Sequence, residues 1–251
     1  MSSLKLNPGL QAPRLNGGFS DVCPGTTVAF EGIEARPIDV QVQIGPGLPA
    51  FTIVGLPDKA VGESRERVRG ALNAIGLALP PKRITVNLAP ADQPKEGSHY
   101  DLPIALGLMA AIGAVAHDAI EGYCVLGELA LDGSIAAIAG ALPAAIGANA
   151  LGKGLICPRD SGAEAAWAAA DMAILAPGNL LQLVNHFKGL QTLKRPLPTP
   201  DPGDAAMLGA DRAAFDCAIR LAAGDHRGEV RVNPKRIEHA RSIDCAAPPR
   251  Q

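Results

Sequence analysis

The stretch RITVNLAPADQPKEGSHYDLPIALGL, residues 83–108, decides the fold class of this chain. Apolar residues alternate with polar or small ones over 84–89, which predicts a half-buried strand. The apolar run that starts at Asp101 predicts a buried helix, and residues 90–100 between the two elements form a polar turn. In α/β folds, rigid elements position a polar loop in which chemistry takes place. The stretch therefore predicts an α/β fold and has the outline of an active-site loop.

Further strands and helices are predicted on both sides of this stretch. Upstream, β-branched runs at 27–31, 38–44 and 50–54 predict three strands in meander order. A helix follows, with Asp58 as its N-cap and Gly76 as its C-terminal stop. This order, continued by alternating strands and helices, predicts an α/β domain with a mixed sheet. The predicted downstream elements are strand 123–129, strand 134–138, helix 140–151, strand 155–157, helix 163–170, strand 173–175 and helix 179–187.

Changes in composition divide the chain into four parts. The periodic patterns lie within residues 27–194, which is a single-domain length. Residues 1–26 are rich in Pro, Gly, Ser and Asn and predict a disordered leader. Residues 195–203 are Pro-rich and predict a linker, and residues 204–251 predict a partly disordered tail.

Charge, cysteine content and hydropathy argue against several classes of protein. The net charge of −2 and the pI near 6.2 give no general attraction to nucleic acid. The five cysteines form no CxxC pair, so neither a zinc site nor a redox motif is indicated. The N-terminus lacks an apolar signal segment, and the apolar run 102–115 is too short to span a bilayer. We therefore expect a cytoplasmic protein that makes no contact with membranes.

Residues 147–154, GANALGKG, nearly match the phosphate-binding pattern GxxxxGK[ST]. Gly154 stands where the pattern needs a hydroxyl for Mg²⁺. A phosphate loop also follows a strand and opens a helix, whereas these glycines close a predicted helix and precede a strand. The stretch predicts a helix end and a turn, and we infer no nucleotide site in this chain.

The first predicted helix has a polar face that carries several basic residues. Arg65, Arg67 and Arg69 lie on this face, and Lys82 and Arg83 precede the next strand. These five residues are candidates for a DNA or partner surface. Two interleaved glutamates favour a solvated or partner-facing surface over a nucleic-acid groove.

The polar loop offers a hydrolytic centre, a metal site or a helix cap. A Ser98 nucleophile needs a base within hydrogen-bond reach, and its neighbour His99 points in a different direction on an extended backbone. His99, Asp101 and Asp92 match no established metal-ligand spacing. Asp101 suits a helix N-cap or a first-turn acid; alternatively Ser98 is the N-cap, and Asp101 completes the capping box S-x-x-D. We therefore favour structural roles for Ser98 and Asp101.

Three stretches together resemble a known family: GLPAFTIVGLPDKAVGESRERVRGAL (47–72), the stretch 83–108, and LGELALDGSI (126–135). On these motifs the chain is similar to the N-terminal domain of the YifB/ComM family, also described as magnesium-chelatase-like AAA+ ATPases or competence proteins. The resemblance covers residues 27–197. It implies a fold similar to the Lon protease domain and to domain 2 of ribosomal protein S5.

Lon proteases use a Ser–Lys dyad, and the resemblance places other residues at both positions here. His99 falls at the nucleophile position with Ser98 just before it, and Leu142, within AGALPA (139–144), falls where the lysine stands. A leucine cannot act as a base. We therefore predict a Lon-like fold without peptidase chemistry. The alternative is an unconventional peptidase centre formed by Ser98, His99 and Lys95.

The family resemblance assigns enzymatic activity to a different part of the protein. Full-length members continue into an AAA+ module that binds ATP and Mg²⁺ through a Walker A loop, and residues 204–251 do not match the start of that module. We expect a truncated member with no cofactor of its own. For full-length members the resemblance implies ATP-dependent DNA remodelling, namely branch migration in transformation. For this chain it implies a non-catalytic accessory domain that supports self-association or ring assembly, or that contacts DNA.

Overall fold

A seven-stranded mixed sheet organises residues 23–198, the residues that the computed structural model describes. Two short strands, β6 and β7, form a separate antiparallel ribbon. The strands are β1 Cys23–Glu31, β2 Glu34–Gly45, β3 Ala50–Val54, β4 Arg83–Ala89, β5 Tyr123–Val125, β6 Glu128–Leu129, β7 Ile135–Ala136, β8 Gly154–Ile156 and β9 Ile174–Leu175.

The strands of the main sheet are ordered β3-β4-β2-β1-β5-β8-β9. The β1–β2 and β2–β4 pairs are antiparallel, and the other neighbours are parallel. The predicted meander is therefore wrong beyond β2, because β4 rather than β3 pairs with β2. The buried face of β4 is entirely apolar, as expected for an interior strand. It consists of Ile84, Val86 and Leu88. Pro49 and Pro57 flank β3, and prolines suit the edge of a sheet.

The helices of the described residues connect and cover the strands. Asp58 caps the first of them as predicted, since its carboxylate accepts from the N–H of Val61 at 2.7 Å. The same helix ends just before Gly76, whose φ of 80° favours glycine. Within residues 23–198 no helix is long and apolar enough to cross a membrane. The helices are α1 Lys59–Ala74, α2 Asp101–Ala111, α3 Asp118–Glu121, α4 Ala141–Ala150, α5 Gly162–Ala165 and α6 Leu180–Phe187, with a 3-10 turn at Arg159–Ser161.

Two clusters of buried aliphatic side chains hold the helices to the sheet. The larger cluster joins α1, α2 and α6 to the sheet and includes Val40, Val86 and Leu106. The second joins α4 and α5 to β1, β5 and β8 and includes Val28 and Leu155. Neighbouring residues of β5 and β8 belong to different clusters, as expected for strands that are covered on both faces. The predicted class, α/β with a mixed sheet, is confirmed.

The domain extends beyond its predicted limits at both ends. β1 begins at Cys23, so the last residues of the predicted leader belong to the sheet. At the other end, the Arg195 guanidinium donates to two backbone carbonyls that follow α5, at 2.7 and 3.0 Å. The predicted linker is therefore packed on the domain at its first residue. Residues 1–22 of the predicted leader and the predicted tail 204–251 lie outside the described residues.

Several predicted elements are shorter than expected. The predicted strand 123–129 is divided into β5 and β6, because the chain leaves the sheet at Gly127, whose N–H donates to the carbonyl of His99 at 2.9 Å. The predicted strand 134–138 is reduced to β7, and the predicted helix 163–170 to α5. The one-turn helix α3 was not predicted, since four residues are too few for a periodic pattern.

Candidate functional site

The loop 90–100 connects β4 to α2 and is held against the start of α1. The N–H of Lys95 donates to the carbonyl of Leu56 at 3.3 Å, and the N–H of Asp58 donates to the carbonyl of Lys95 at 3.0 Å. The Asp58 carboxylate, which caps α1, also accepts from the N–H of Gly97 at 3.2 Å. Asp58 is therefore both the predicted cap and an anchor for the loop.

Ser98 and Lys95 are bound to different partners within the domain. Ser98 Oγ donates to Glu128 Oε2 at 2.5 Å. Lys95 is fully buried, and its Nζ donates to the carbonyl of Pro90. Burial lowers the pKa of Lys95, and the negative charge of Asp92 opposes this effect. The two residues that would serve as nucleophile and base in an unconventional peptidase centre are thus directed to separate acceptors.

The start of α2 differs from the predicted capping box. Its N-cap position is Tyr100, which makes no side-chain capping bond. Asp101 is the first residue of the helix and a first-turn acid, so its predicted N-cap alternative is wrong. Ser98 contributes only its carbonyl, which accepts from the N–H of Asp101 at 3.2 Å. The predicted capping role of the Ser98 side chain is wrong because its hydroxyl is bound to the carboxylate of Glu128 instead.

A buried ion pair joins α1 to α2. Arg67 donates from Nε to Asp101 Oδ2 at 2.6 Å and from Nη2 to Asp101 Oδ1 at 3.0 Å. Asp101 is fully buried, and it also accepts from the N–H of Leu129 at 3.1 Å. The hydrogen bond to Asp101 is the main cause that raises the pKa of Arg67. The prediction that Arg67 belongs to a DNA or partner surface is therefore wrong, because this bidentate pair commits its guanidinium to the interior.

Sequence reasoning misses the inward position of Arg67 and the role of Glu128. Arg67 lies three residues after Ser64 and four before Ala71, which are both buried, so helical spacing already places it on the inward face. Glu128 carries no comparable signal. Its partner Ser98 is 30 positions away in the sequence, and only the fold brings the two together.

His99 is part of an aromatic stack and is 8% exposed. Its ring centroid lies 4.2 Å from that of Tyr100 and 5.3 Å from that of Phe30. Nε2 lies 2.9 Å from the carbonyl oxygen of Val28, so the neutral ring donates its proton there. Burial lowers the pKa of His99, and this effect is opposed by the Val28 hydrogen bond and by two nearby carboxylates. His99 is thus a packed residue of the loop whose donor is already used.

Acidification is expected to destabilise the fold through His99. Its pKa is lowered in the folded state from an ordinary value of 6.5, so the unfolded state binds the proton more readily. The stability that neutral His99 contributes is present above about pH 6.5 and is lost as the pH falls from there towards the folded-state pKa. Urea unfolding at about pH 7.5 and about pH 5.5 measures the loss. A His99→Asn variant is expected to lose less stability on acidification, and an equal loss in both proteins contradicts the assignment.

A cleft of about 950 Å³ opens between the loop and the hairpin formed by β1 and β2. Phe30, Glu31 and Arg36 line the hairpin side. Asp92 and Glu96 are among the residues that line the loop side, and Asp58 completes the wall. The lining therefore has four carboxylates and one guanidinium.

The remaining basic candidates are on the surface. Arg65 and Arg69 are about half exposed and contact Glu66 at 3.5 and 4.0 Å. Lys82 and Arg83 are exposed at the start of β4. Exposed ion pairs of this kind contribute about 0–1 kcal/mol, so they leave both arginines able to exchange partners.

The stretch GANALGKG is the end of α4 and a turn. The helix ends at Ala150, and Gly152 has a φ of 68°. Lys153 Nζ donates to the carbonyl of Glu121 at 2.6 Å. The interpretation as a helix end is confirmed, and these residues do not fit a bound triphosphate. Across residues 23–198, no group of three or more His, Cys, Asp or Glu side chains is placed to hold a metal ion.

Comparison with known proteins gives consistent matches. Residues 40–161 match the family model described as subunit ChlI of Mg-chelatase. Uncharacterized protein YifB of Salmonella typhimurium is 42% identical over 205 residues, which are 79% of this chain and 40% of that protein. Competence protein ComM of Haemophilus influenzae is 39% identical over 188 residues, 75% of this chain and 36% of that protein. The chain thus spans about two fifths of the length of the curated relatives it matches.

Proposed function

This chain belongs to the YifB/ComM family, and we propose that its domain over residues 27–194 is a non-catalytic accessory domain of a magnesium-chelatase-like ATPase. One observation carries the proposal. The three side chains of the loop 90–100 that could form a peptidase centre are each bound to a partner within the fold. Ser98 binds Glu128, Lys95 binds the carbonyl of Pro90, and His99 binds the carbonyl of Val28.

The geometry required of a serine nucleophile supports the same view. A nucleophile and its base have to lie within hydrogen-bond reach of each other, at about 2.6–3.2 Å. The hydroxyl of Ser98 faces a carboxylate, and the amine of Lys95 faces a backbone carbonyl. Leu142, which stands where the resemblance to Lon places a lysine, lies at the start of α4, where its N–H donates to Glu164 at 3.0 Å. The loop is better suited to fastening β4, α1 and α2 together.

The Ser98→Ala variant tests whether this serine stabilises the fold. Loss of a hydrogen bond to a carboxylate is expected to lower the free energy of unfolding by about 1–2 kcal/mol, as measured by urea denaturation. Casein hydrolysis by the chain is expected to be the same with and without the substitution. The matched control is Ser134→Ala, whose hydroxyl donates to Asp132 in an exposed turn, with an expected change within about 0.5 kcal/mol. Hydrolysis that disappears in Ser98→Ala supports the peptidase alternative instead.

For the whole protein we propose ATP-dependent remodelling of DNA, with ATP and Mg²⁺ bound by an AAA+ module. The family membership supports this proposal, together with the match to the ChlI model and the name of the competence protein ComM. The part played by residues 27–194 is then assembly of the ring, or contact with DNA. ATP hydrolysis measured on this chain alone tests whether the ATPase activity belongs to the AAA+ module and not to this domain. Robust turnover would contradict it, because the GANALGKG stretch is built as a helix end.

Contact with DNA, if this domain makes it, rests on the exposed basic residues. The substitutions Arg65→Glu and Arg69→Glu on α1 are expected to weaken binding to branched DNA about tenfold at low salt, and Lys82→Glu with Arg83→Glu to have a similar effect. Binding is measured by fluorescence anisotropy at increasing salt, and the variants are expected to show a shallower salt dependence. The control Lys188→Glu changes one exposed charge just beyond α6. If the control loses as much affinity for DNA as the variants do, binding depends only on the net charge of the protein, and this surface is removed from the proposal.

A further inference from the structure

Strand β3 forms one edge of the main sheet and presents main-chain groups that have no partner. The N–H of Ala50 donates to the carbonyl of Lys82 at 3.4 Å, so the main-chain groups of Ala50 face β4. Main-chain groups point to alternate sides along a strand, which turns the N–H and C=O of Phe51 and Ile53 away from the sheet. Within residues 23–198 β3 has no other neighbouring strand, and these four groups make no hydrogen bond. The edge is therefore open to another extended strand.

The sequence of β3 lacks the features that normally protect an edge strand. Its five residues, AFTIV, include no charge and no proline, and the strand contains no glycine at which it could bulge. Natural edge strands are blunted by charged side chains, prolines or bulges, because a bare edge pairs readily with another chain. At the opposite edge of the sheet, β9 has two residues. β3 is thus the longer edge and has no protection within the strand.

Three large apolar side chains are exposed along this edge and beside it. Val54, the last residue of β3, is 41% exposed, and the flanking residues Leu48 and Leu56 are 82% and 58% exposed. Leu56 also has a φ of 55°, the one positive φ of a non-glycine residue within residues 23–198. A leucine adopts this conformation at a cost, and such strain is found mainly at functional sites. The strained backbone and the exposed side chains both indicate a surface that another molecule covers.

We propose that β3 pairs with β3 of a second copy of this chain, antiparallel and around a two-fold axis at Thr52. In this register, Phe51 of each copy exchanges both of its main-chain hydrogen bonds with Ile53 of the other copy. All four free groups of each edge then have a partner. The two Thr52 side chains face each other on the axis, where a pair without main-chain bonds brings side chains closest together.

The same register brings the exposed apolar side chains together, which favours a second copy over an unrelated strand. Ala50 lies opposite Val54 of the other copy, and Leu48 comes close to Leu56 at each end of the pair. Side chains at 50, 52 and 54 are exposed on one face of the sheet, so the contacts form on that face. A two-fold interface needs a surface that is complementary to itself, and an uncharged strand does not repel its own copy.

The paired surface is small, and its symmetry differs from that of a ring. A standard interface buries about 800 Å² per partner, and two five-residue strands bury less, so we expect a reversible dimer of micromolar affinity. A two-fold pair closes on itself, whereas head-to-tail contacts build rings. The inference therefore goes beyond the accessory role and the ring assembly proposed above.

The test is sedimentation velocity of the full chain at about 10–500 μM, combined with a charge exchange at Thr52. Thr52→Lys places two ammonium groups opposite each other on the axis and is expected to weaken dimerisation at least about tenfold. Thr52→Glu alone is expected to have the same effect. An equimolar mixture of the two variants is expected to regain dimerisation, because the mixed pair brings opposite charges together.

Gln43→Lys is the matched control for the charge exchange. Gln43 is exposed in the same row and on the same face as Thr52, but on β2, two strands in from the edge. This variant is expected to dimerise like the unmodified chain. A chain that stays monomeric over the whole concentration range overturns the proposal. Equal loss in Gln43→Lys, or no recovery in the mixture of Thr52 variants, overturns it as well.

Leu56→Asn separates association from folding. Asparagine adopts a positive φ more readily than leucine, so the melting temperature of the dilute protein is expected to stay the same or rise. The affinity of the dimer is expected to fall about threefold to tenfold, because an apolar contact is lost. Leu190→Asn, which replaces an exposed leucine in the segment after α6, is expected to leave dimerisation unchanged. Unchanged affinity in a folded Leu56→Asn protein overturns the proposal.

Amide hydrogen exchange tests whether the contact is made by the strand itself. The N–H groups of Phe51 and Ile53 become donors in the pair, so their exchange is expected to slow as the protein concentration rises. Exchange that does not change while the chain dimerises places the contact elsewhere and overturns the proposal. All of these failures leave the accessory role standing, because that role rests on the internal bonds of the loop 90–100.

Discussion

Replacing Asp101 by alanine is expected to lower the free energy of unfolding by about 3–5 kcal/mol, because it leaves the Arg67 guanidinium without its carboxylate. The carboxylate is fully buried and receives two bonds from Arg67 and one from the N–H of Leu129. It therefore ties α1, α2 and β6 to one another. Urea or guanidinium denaturation, followed by circular dichroism, measures the loss.

One control for this prediction lies elsewhere on α1, and the other replaces both members of the Arg67–Asp101 pair. Arg65→Ala removes an exposed arginine from α1 and is expected to change stability by less than about 0.5 kcal/mol. The double variant Arg67→Met/Asp101→Leu removes both charges and is expected to lose less than the sum of the two single losses. Additive losses would show that the two side chains do not act as a pair.

Replacing Gly55 by alanine is expected to destabilise the domain by more than about 4 kcal/mol or to prevent folding. A Cβ atom at this position would lie 2.0 Å from the carbonyl oxygen of Leu88 and 2.9 Å from its carbonyl carbon. Those atoms are backbone of β4, which is an interior strand and cannot give way. The φ of 105° at Gly55 is a second obstacle, because L residues rarely adopt it.

Gly62→Ala is the matched control for this prediction. Gly62 is in the interior of α1, and a Cβ there would meet nothing within 4 Å. Alanine is favoured over glycine in a helix by about 0.5–1 kcal/mol, so this variant is expected to be slightly more stable. Both substitutions add one methyl group, and thermal unfolding compares their effects directly. Destabilisation of the same size at both positions would refute the close approach of residue 55 to β4.

Local sequence patterns were sufficient to predict most of the elements of the sheet and helices. β3 has the predicted limits, and α1 has the predicted cap and stop. The strand order was not predictable in this way, because a β-branched run indicates a strand and does not indicate its neighbours. β4 is separated from β2 by β3 and α1 in the sequence, yet β4 pairs with β2. Partner choice depends on which apolar faces have to be buried together, and that is a property of the whole domain.

The position of the loop 90–100 was predicted correctly, but the capping roles of Ser98 and Asp101 were not. The loop 90–100 is where the motifs placed it, between β4 and α2. The hydroxyl of Ser98 and the carboxylate of Asp101 fit a local capping box, and in the structure each is bound by a residue about 30 positions away. For Ser98, the carboxylate of Glu128 outcompetes a neutral capping bond to a backbone N–H, because charge-assisted hydrogen bonds are about twice as strong as neutral ones. Patterns within a short window do not contain that information.

The outline of an active-site loop and the separate partners of Ser98, Lys95 and His99 have one common explanation in this account. Ser98 and Lys95 are bound within the domain, and Asp58 holds the loop to the start of α1, so these contacts stabilise the junction of β4, α1 and α2. The cleft next to it remains open on the hairpin side and presents carboxylates to solvent.

The central claim, that the loop is structural and non-catalytic, is tested most directly by a serine-reactive fluorophosphonate probe. The folded chain is incubated with the probe, and intact mass spectrometry followed by peptide mapping locates any adduct. The account predicts no adduct at Ser98, because its hydroxyl donates to Glu128 and no amine or imidazole is bound to it in the described structure. An adduct at Ser98 that forms in the folded chain and disappears in Ser98→Ala would contradict the account.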